Sequence, residues 1–137
     1  MKDKELEIME LANRYNIFDS QLKEYPKKMS QFDAYNNDCI VEIKHRNRFW
    51  DKPMIEFSKH SFNKEFAKLH KLNFLYLNRM GSYLVLFDIL YLDSINYDFG
   101  WEWRDMPKTT EFGNNEMIPK FVGYIDVKNA CENIEIV

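Results

Sequence analysis

Phe32-Asp33-Ala34-Tyr35-Asn36-Asn37-Asp38-Cys39-Ile40-Val41-Glu42-Ile43-Lys44 is the stretch on which the reading of this chain turns. Phe32–Tyr35 is a short strand candidate. Asn36-Asn37-Asp38 is a turn signal, because Asn and Asp tolerate left-handed backbone. Cys39–Lys44 follows as a strand rich in β-branched residues, so the three pieces predict a hairpin. Side chains alternate faces along a strand, which puts Glu42 and Lys44 on one side and brings Asp33 across beside Glu42. Two carboxylates that converge repel each other unless a cation joins them. Mg²⁺ is the expected cation, being hard, oxygen-seeking and slow to give up its waters, with Mn²⁺ as a substitute. Asp33, Glu42 and the Ile43 carbonyl are the candidate ligands. Lys44 is placed to orient an attacking water and to stabilise charge developing on a phosphate.

The rest of the chain arranges itself around this hairpin. Residues 3–15 predict a helix with Ile8, Leu11, Ala12 and Tyr15 on one face. Residues 16–31 read as a connection containing Pro26, and 45–56 as irregular, with Pro53. Ser58 or Ser61 is the expected cap of a second helix reaching about Leu72, with Phe62, Phe66 and Leu69 as its apolar stripe. Phe74–Leu77 and Tyr83–Leu90 are strands around a turn at Gly81. Residues 93–118 look aromatic, acidic and irregular, and Phe121–Val127 is a last strand. The order helix, hairpin, helix, strands predicts a mixed α/β (α+β) fold. It is read as a single domain over 1–137, with its core at about 3–90 and an irregular acidic tail at 91–137.

Composition bounds the function. The chain of 137 residues is 45% hydrophobic and 16% aromatic, which suffices for a core. No apolar run has membrane-spanning length and the Lys- and Glu-rich start is no signal peptide, so a soluble, cytoplasmic protein is expected. Cys39 and Cys131 are too few and too far apart for a disulfide scaffold or a zinc site, and are expected as buried thiols in a reducing compartment. Net charge is −3, but unevenly spread: residues 1–42 carry −3, residues 43–79 carry +6 and residues 80–137 carry −6. A basic block between acidic ends can meet a phosphate backbone locally. Arg46 and Arg48 continue the alternation of Lys44 and could contact phosphates. Lys59 near the start of the second helix could do so too, and Lys64, Lys68 and Lys71 share a helical face that is either solvated or phosphate-binding.

The residues Phe32-Asp33-Ala34 with Val41-Glu42-Ile43-Lys44-His45-Arg46-Asn47 resemble the core of the PD-(D/E)xK nucleases. They are similar to the Asp…Glu-x-Lys hairpin of archaeal Holliday junction resolvases and phage endonuclease I, and the chain resembles small phage-encoded proteins of that fold. The likeness covers about residues 3–90, with Met54-Ile55-Glu56-Phe57-Ser58-Lys59-His60 opening the second helix. Phe32 stands where the family often has proline. The resemblance implies a restriction-endonuclease-like core, Mg²⁺-dependent endonuclease activity on DNA with selectivity for DNA structure, the host cytoplasm as location, and a homodimer. It also implies a glutamate on the first helix facing the metal. Of Glu5, Glu7 and Glu10, Glu5 shares the inward face with Ile8 and Ala12 and fits best.

Other patterns are weaker. Asp126-Val127-Lys128 repeats the Asp-x-Lys text without a preceding hairpin. Pro107-Lys108-Thr109-Thr110 lacks the glycines of a phosphate loop. Trp101-Glu102-Trp103 could stack on bases, but two tryptophans beside Phe99 more often pack. The competing functional class is a catalytically silent nuclease-fold binding module, a phage-type inhibitor or a nucleic-acid-binding protein, with the acidic tail mimicking nucleic acid or covering the basic face. The bland reading of the central hairpin is a salt-bridged strand pair.

Overall fold

The computed structural model describes residues 1–27, 31–108 and 116–137. In chain order the elements are α1 (Asp3–Arg14), β1 (Lys23–Glu24), β2 (Ala34–Tyr35), β3 (Cys39–Arg46), β4 (Met54–Glu56), α2 (Phe57–His70), β5 (Asn73–Met80), β6 (Tyr83–Asp88), α3 (Ile89–Ser94), β7 (Glu102–Pro107), β8 (Met117–Tyr124), a 3-10 turn at Val127–Asn129, and β9 (Glu132–Glu135). The parts of the expected connection at 28–30 and of the expected tail at 109–115, with Thr109 and Thr110, lie outside the described residues.

The fold is mixed α/β. A six-stranded sheet runs β1-β2-β3-β5-β6-β9, and β4-β8-β7 form a second sheet. The hairpin is present, with Ala34 opposite Val41 and Tyr35 opposite Ile40. Within the large sheet β3 and β5 are parallel, with Glu42 beside Tyr76 and Lys44 beside Asn78; the other pairings are antiparallel. A parallel pair needs a long crossover, and the chain from Asn47 to Leu72 supplies it with β4 and α2.

β3 is covered on both faces, which explains its unbroken apolar run. Cys39, Val41 and Ile43 pack with Ile8, Met9 and Ala12 of α1. Ile40 faces the other way, into a cluster with Ala67 of α2, Phe74, Phe87 and Ile89. By strand parity Glu42 and Lys44 share the side of Ile40, toward α2. α1 turns as its periodicity predicts: Ile8 and Ala12 are buried, Glu7 and Glu10 are exposed, and Glu5 lies between. Of the two free thiols Cys39 is buried, but Cys131 is exposed on the run into the edge strand β9.

Several expectations are corrected. α2 starts at Phe57, earlier than either serine, with Glu56 as N-cap and no side-chain capping bond. The cause is β4, which runs straight into the helix and fixes its rotation. The face of α2 that meets the sheet therefore carries His60, Asn63 and Ala67, while Phe62 and Leu69 of the expected stripe are exposed. Small Ala67 allows the close approach. Residues 45–56 are not wholly irregular: β3 continues to Arg46, and Met54–Glu56 form β4 by pairing with β8, some seventy residues downstream. The strand expected to reach Leu90 stops at Asp88, whose carboxylate accepts the Tyr91 N–H at 3.1 Å and starts α3. The expected strand Phe121–Val127 lies earlier, at Met117–Tyr124, with Val127 in the 3-10 turn. The tail is not irregular: it adds β7, β8 and β9, and β9 closes one edge of the large sheet.

Two glycines are required by geometry. Gly81 has φ +60° in the β5–β6 turn, and its N–H donates to the Arg46 carbonyl at 3.1 Å, tying that turn to the end of β3. On β8, a Cβ at Gly123 would stand 2.9 Å from Phe99 and Trp101. Among the described residues no helix is long and apolar enough to cross a membrane.

Candidate functional site: a buried carboxylate pocket

A pocket of about 190 Å³ opens where β3, α1 and the β4–α2 junction meet. Glu5, Glu42, Ile43, Lys44 and Lys59 line it, joined by Lys2, Arg46 and Glu56. The expected motif side chains thus come from three separate elements to one place. Asp33, just ahead of β2, is not in the lining. It stands behind the pocket, where one carboxylate oxygen accepts the Ile43 N–H at 2.8 Å. This bond fixes Asp33 against the motif strand, and its carboxyl also shares a hydrogen bond with Glu5.

Glu42 is 8% exposed, yet one of its oxygens, Oε2, has no hydrogen-bond partner among the described residues. The nearest cation is Lys59 on α2, whose Nζ is 3.7 Å from that oxygen, an ion pair too long for a hydrogen bond. A desolvated carboxylate is costly unless it is paired and hydrogen-bonded. Burial therefore pushes the Glu42 carboxyl well above its usual range, and the charges on Asp33 and Glu5 push it further, against the pull of Lys59 and Lys44. Burial also raises Asp33, to about 6; the Ile43 N–H opposes this, and Glu5 adds to it through charge and a shared hydrogen bond. The three acids are close enough to feel each other strongly. As they stand, however, no group of three His, Cys, Asp or Glu side chains among the described residues is spaced to hold a metal ion.

Lys44 sits at the mouth of the pocket. Its ammonium is held below the ordinary lysine range, first by burial and then by Arg46 alongside, while Glu56 and Glu42 pull the other way. Glu5 is N3 of α1 and accepts the Lys2 backbone N–H at 3.3 Å, so its carboxylate caps the helix while facing the pocket.

The candidate phosphate-binding residues divide. Arg46 is held in the structure: Nε donates to Asn78 at 3.0 Å, and Nη2 donates to the Met54 carbonyl at 2.7 Å and to the Tyr76 hydroxyl at 3.1 Å. Arg48 lies past the strand end, its guanidinium 3.7 Å over the Trp50 ring. Lys59 faces Glu42. Lys64 is turned to Asp93 of α3 at 3.4 Å, away from the pocket, with His60 3.0 Å from the same carboxylate. Asp126 accepts the Lys128 N–H at 2.9 Å and caps the 3-10 turn, a structural use of the second Asp-x-Lys. Trp101 and Phe99 stack against each other and meet His60 edge to face, which is packing, while Trp103 is exposed.

Lys2, Met54, Ile55, Glu56 and Tyr76 are lining residues that the sequence did not mark as part of the site, and Glu56 and Tyr76 among them make polar contacts there. Glu56 ends β4 and pairs with Lys120 of β8 at 2.8 Å. Tyr76 is buried next to Glu42, and its hydroxyl donates to the Met54 carbonyl at 2.8 Å. Burial pushes that phenol up to about 12, so it stays protonated. Glu56 stands three residues before Lys59, but its role depends on the remote strand β8.

Compared with protein-family models, curated proteins and solved structures, the chain matches none.

Proposed function

We propose that this chain is a Mg²⁺-dependent endonuclease of the PD-(D/E)xK type that cuts DNA, with structure-selective action as the specific form. The observation that carries the reading is Glu42: a buried carboxylate with an unpartnered oxygen, facing a pocket shared with Glu5 and Lys44 and backed by Asp33. The donor set suits a hard divalent ion, being all oxygen and net acidic. Asp33, Glu42 and the Ile43 carbonyl would hold the ion, with Glu5 reaching it or one of its waters. Bound there, Mg²⁺ supplies Lewis-acid polarisation of a phosphate oxygen and a more acidic water.

The chain's own residues supply the rest. Lys44, on the same strand face as Glu42, orients the attacking water and stabilises negative charge on the phosphate. Burial of its ammonium makes that contact stronger than it would be in water. Lys59 balances Glu42 before the ion arrives. Arg46, in the pocket wall, holds β3, β4 and β5 in register, so it acts as a positioning residue. A homodimer would present two such pockets to one branched DNA.

One observation favours the silent binding module instead. Lys59 already partly meets the charge of Glu42, and closing the carboxylates on an ion requires side chains to move. Cleavage of plasmid and branched DNA in Mg²⁺ or Mn²⁺ separates the two. The enzyme reading expects cutting by the native chain and loss with Glu42→Ala and with Lys44→Ala. No cutting by the native chain, with DNA binding retained, favours the module.

A further inference from the structure

Beside the carboxylate pocket lies a larger open groove of about 850 Å³. The two share Lys2, Glu5, Lys44 and Arg46, so they are continuous. Five cations line the groove: Lys2, Lys4, Lys44, Arg46 and Arg48. Among the described residues, the carboxylates in its lining are Asp3 and Glu5. Among the described residues, Lys2, Lys4 and Arg48 have no carboxylate within ion-pair distance, whereas Lys64 on α2 is paired with Asp93. Lys68 and Lys71 of α2 likewise have no carboxylate within ion-pair distance among the described residues, so what singles out the groove cations is that they adjoin the carboxylate pocket.

Trp50 sits in that loop and lines the groove. It is 44% exposed, a large indole outside both core clusters. The Arg48 guanidinium lies 3.7 Å from its ring centroid, which fixes one face of the ring and places a cation beside it. An exposed aromatic held among unpaired cations is the chemistry of a base-stacking platform along a phosphate path. Stacking needs an unpaired base, because in a duplex the base faces are covered by their neighbours.

Resting on the reading of the pocket as a DNA-cleaving site, we propose that this groove takes a single-stranded segment of the substrate, with Trp50 stacking on an unpaired base and Lys4 and Arg48 meeting the phosphates that lead to the carboxylate pocket. The substrate class is then DNA with an unpaired stretch, such as a flap, gap or branch.

The test is fluorescence anisotropy of a labelled oligothymidylate, and of a duplex of equal length, with the native chain in EDTA. Cleavage cannot intervene without metal. Tighter binding of the single strand is expected. Trp50→Ala should weaken it about tenfold, within the span that one stacked base contributes, and should weaken the duplex about twofold or less. Lys4→Glu should weaken both and flatten the salt dependence. Asp93→Asn, away from the groove and the pocket, should bind the single strand as the native chain does. Equal loss of both ligands in Trp50→Ala, or no loss, overturns the proposal even if the native chain cuts DNA. Trp50-dependent binding of the single strand by a chain that never cuts upholds the groove and overturns the enzyme reading alone. Circular dichroism of each variant identifies loss of fold, and Arg48→Ala provides a second probe of the platform, with the same single-strand bias expected.

Discussion

Two carboxylates face α2, Glu42 buried and Asp93 half-buried, and their surroundings differ in kind. Asp93 is satisfied: His60 Nε2 lies 3.0 Å from both of its oxygens and Lys64 lies 3.4 Å from one. Glu42 is not: among the described residues its one ion-pair cation is 3.7 Å away, the oxygen facing that cation has no hydrogen-bond partner, and two further acids crowd it. The same helix thus supplies a closed ion-pair cluster at one place and an open one at another. A closed cluster fastens α3 to α2. An open, buried, acidic cluster lowers stability in the absence of a cation, and such strain persists in folds where a ligand relieves it.

The largest effect that tests this contrast is on catalysis. Glu42→Ala and Lys44→Ala should each reduce the rate of plasmid nicking in Mg²⁺ by about 10²-fold or more. Asp93→Asn should leave the rate of the folded protein within about twofold. Equal losses at both places would erase the distinction.

Stability should then move in opposite directions. Asp93→Ala strands His60 and Lys64 and should cost about 2–3 kcal/mol in urea unfolding. Glu42→Gln removes a desolvated charge among like charges and should stabilise the metal-free chain by about 1 kcal/mol. Saturating Mn²⁺ reverses the order, because ligand at about 100 times its Kd adds about 2.7 kcal/mol to the native chain.

The pH dependence carries a defined sign. Asp33 is raised from 3.8 to about 6 in the folded chain. The folded state holds the proton more tightly than the unfolded state. Its contribution is therefore fully present below about 4 and is lost as pH rises through about 6. The metal-free native chain should lose on the order of 2–3 kcal/mol over that window relative to Asp33→Asn, at 1.36 kcal/mol per pKa unit. Thermal melts of both proteins from pH 4 to 7.5 measure it; parallel curves would count against the acid cluster.

The smallest effect belongs to Lys59. Its side chain is 30% exposed and its contact is long. Lys59→Met should therefore cost less than about 1 kcal/mol and leave Mn²⁺ affinity nearly unchanged. A large loss of affinity would mean that Lys59 is part of the ion site's support.

The central hairpin was legible because its signals are local. Asn36-Asn37-Asp38 sets the turn, and parity alone puts Glu42 and Lys44 on one side. Glu5 was legible from the α1 period. What could not be read depends on distant pairing. β4 is three residues long and exists because β8 pairs with it, and that junction then sets the rotation of α2. Phe62 and Leu69 looked like a core stripe, yet His60, Asn63 and Ala67 face the sheet. β7 escaped because its residues are largely exposed and charged, as suits the edge of a small sheet. Arg46 read as a free cation; only the parallel neighbour strand shows that Asn78 and Tyr76 hold it. The Asp33–Ile43 bond was likewise invisible, and it commits one Asp33 oxygen to the motif strand.

The central claim is that the acid cluster around Glu42 is open to a divalent cation. Calorimetric titration of Mn²⁺ into the native chain and into Glu42→Gln at pH 7.5 tests it most directly. The account predicts a single ion per native chain, and loss of that binding in a variant that folds at least as stably. Absence of binding by the native chain, or equal binding by Glu42→Gln, would contradict it.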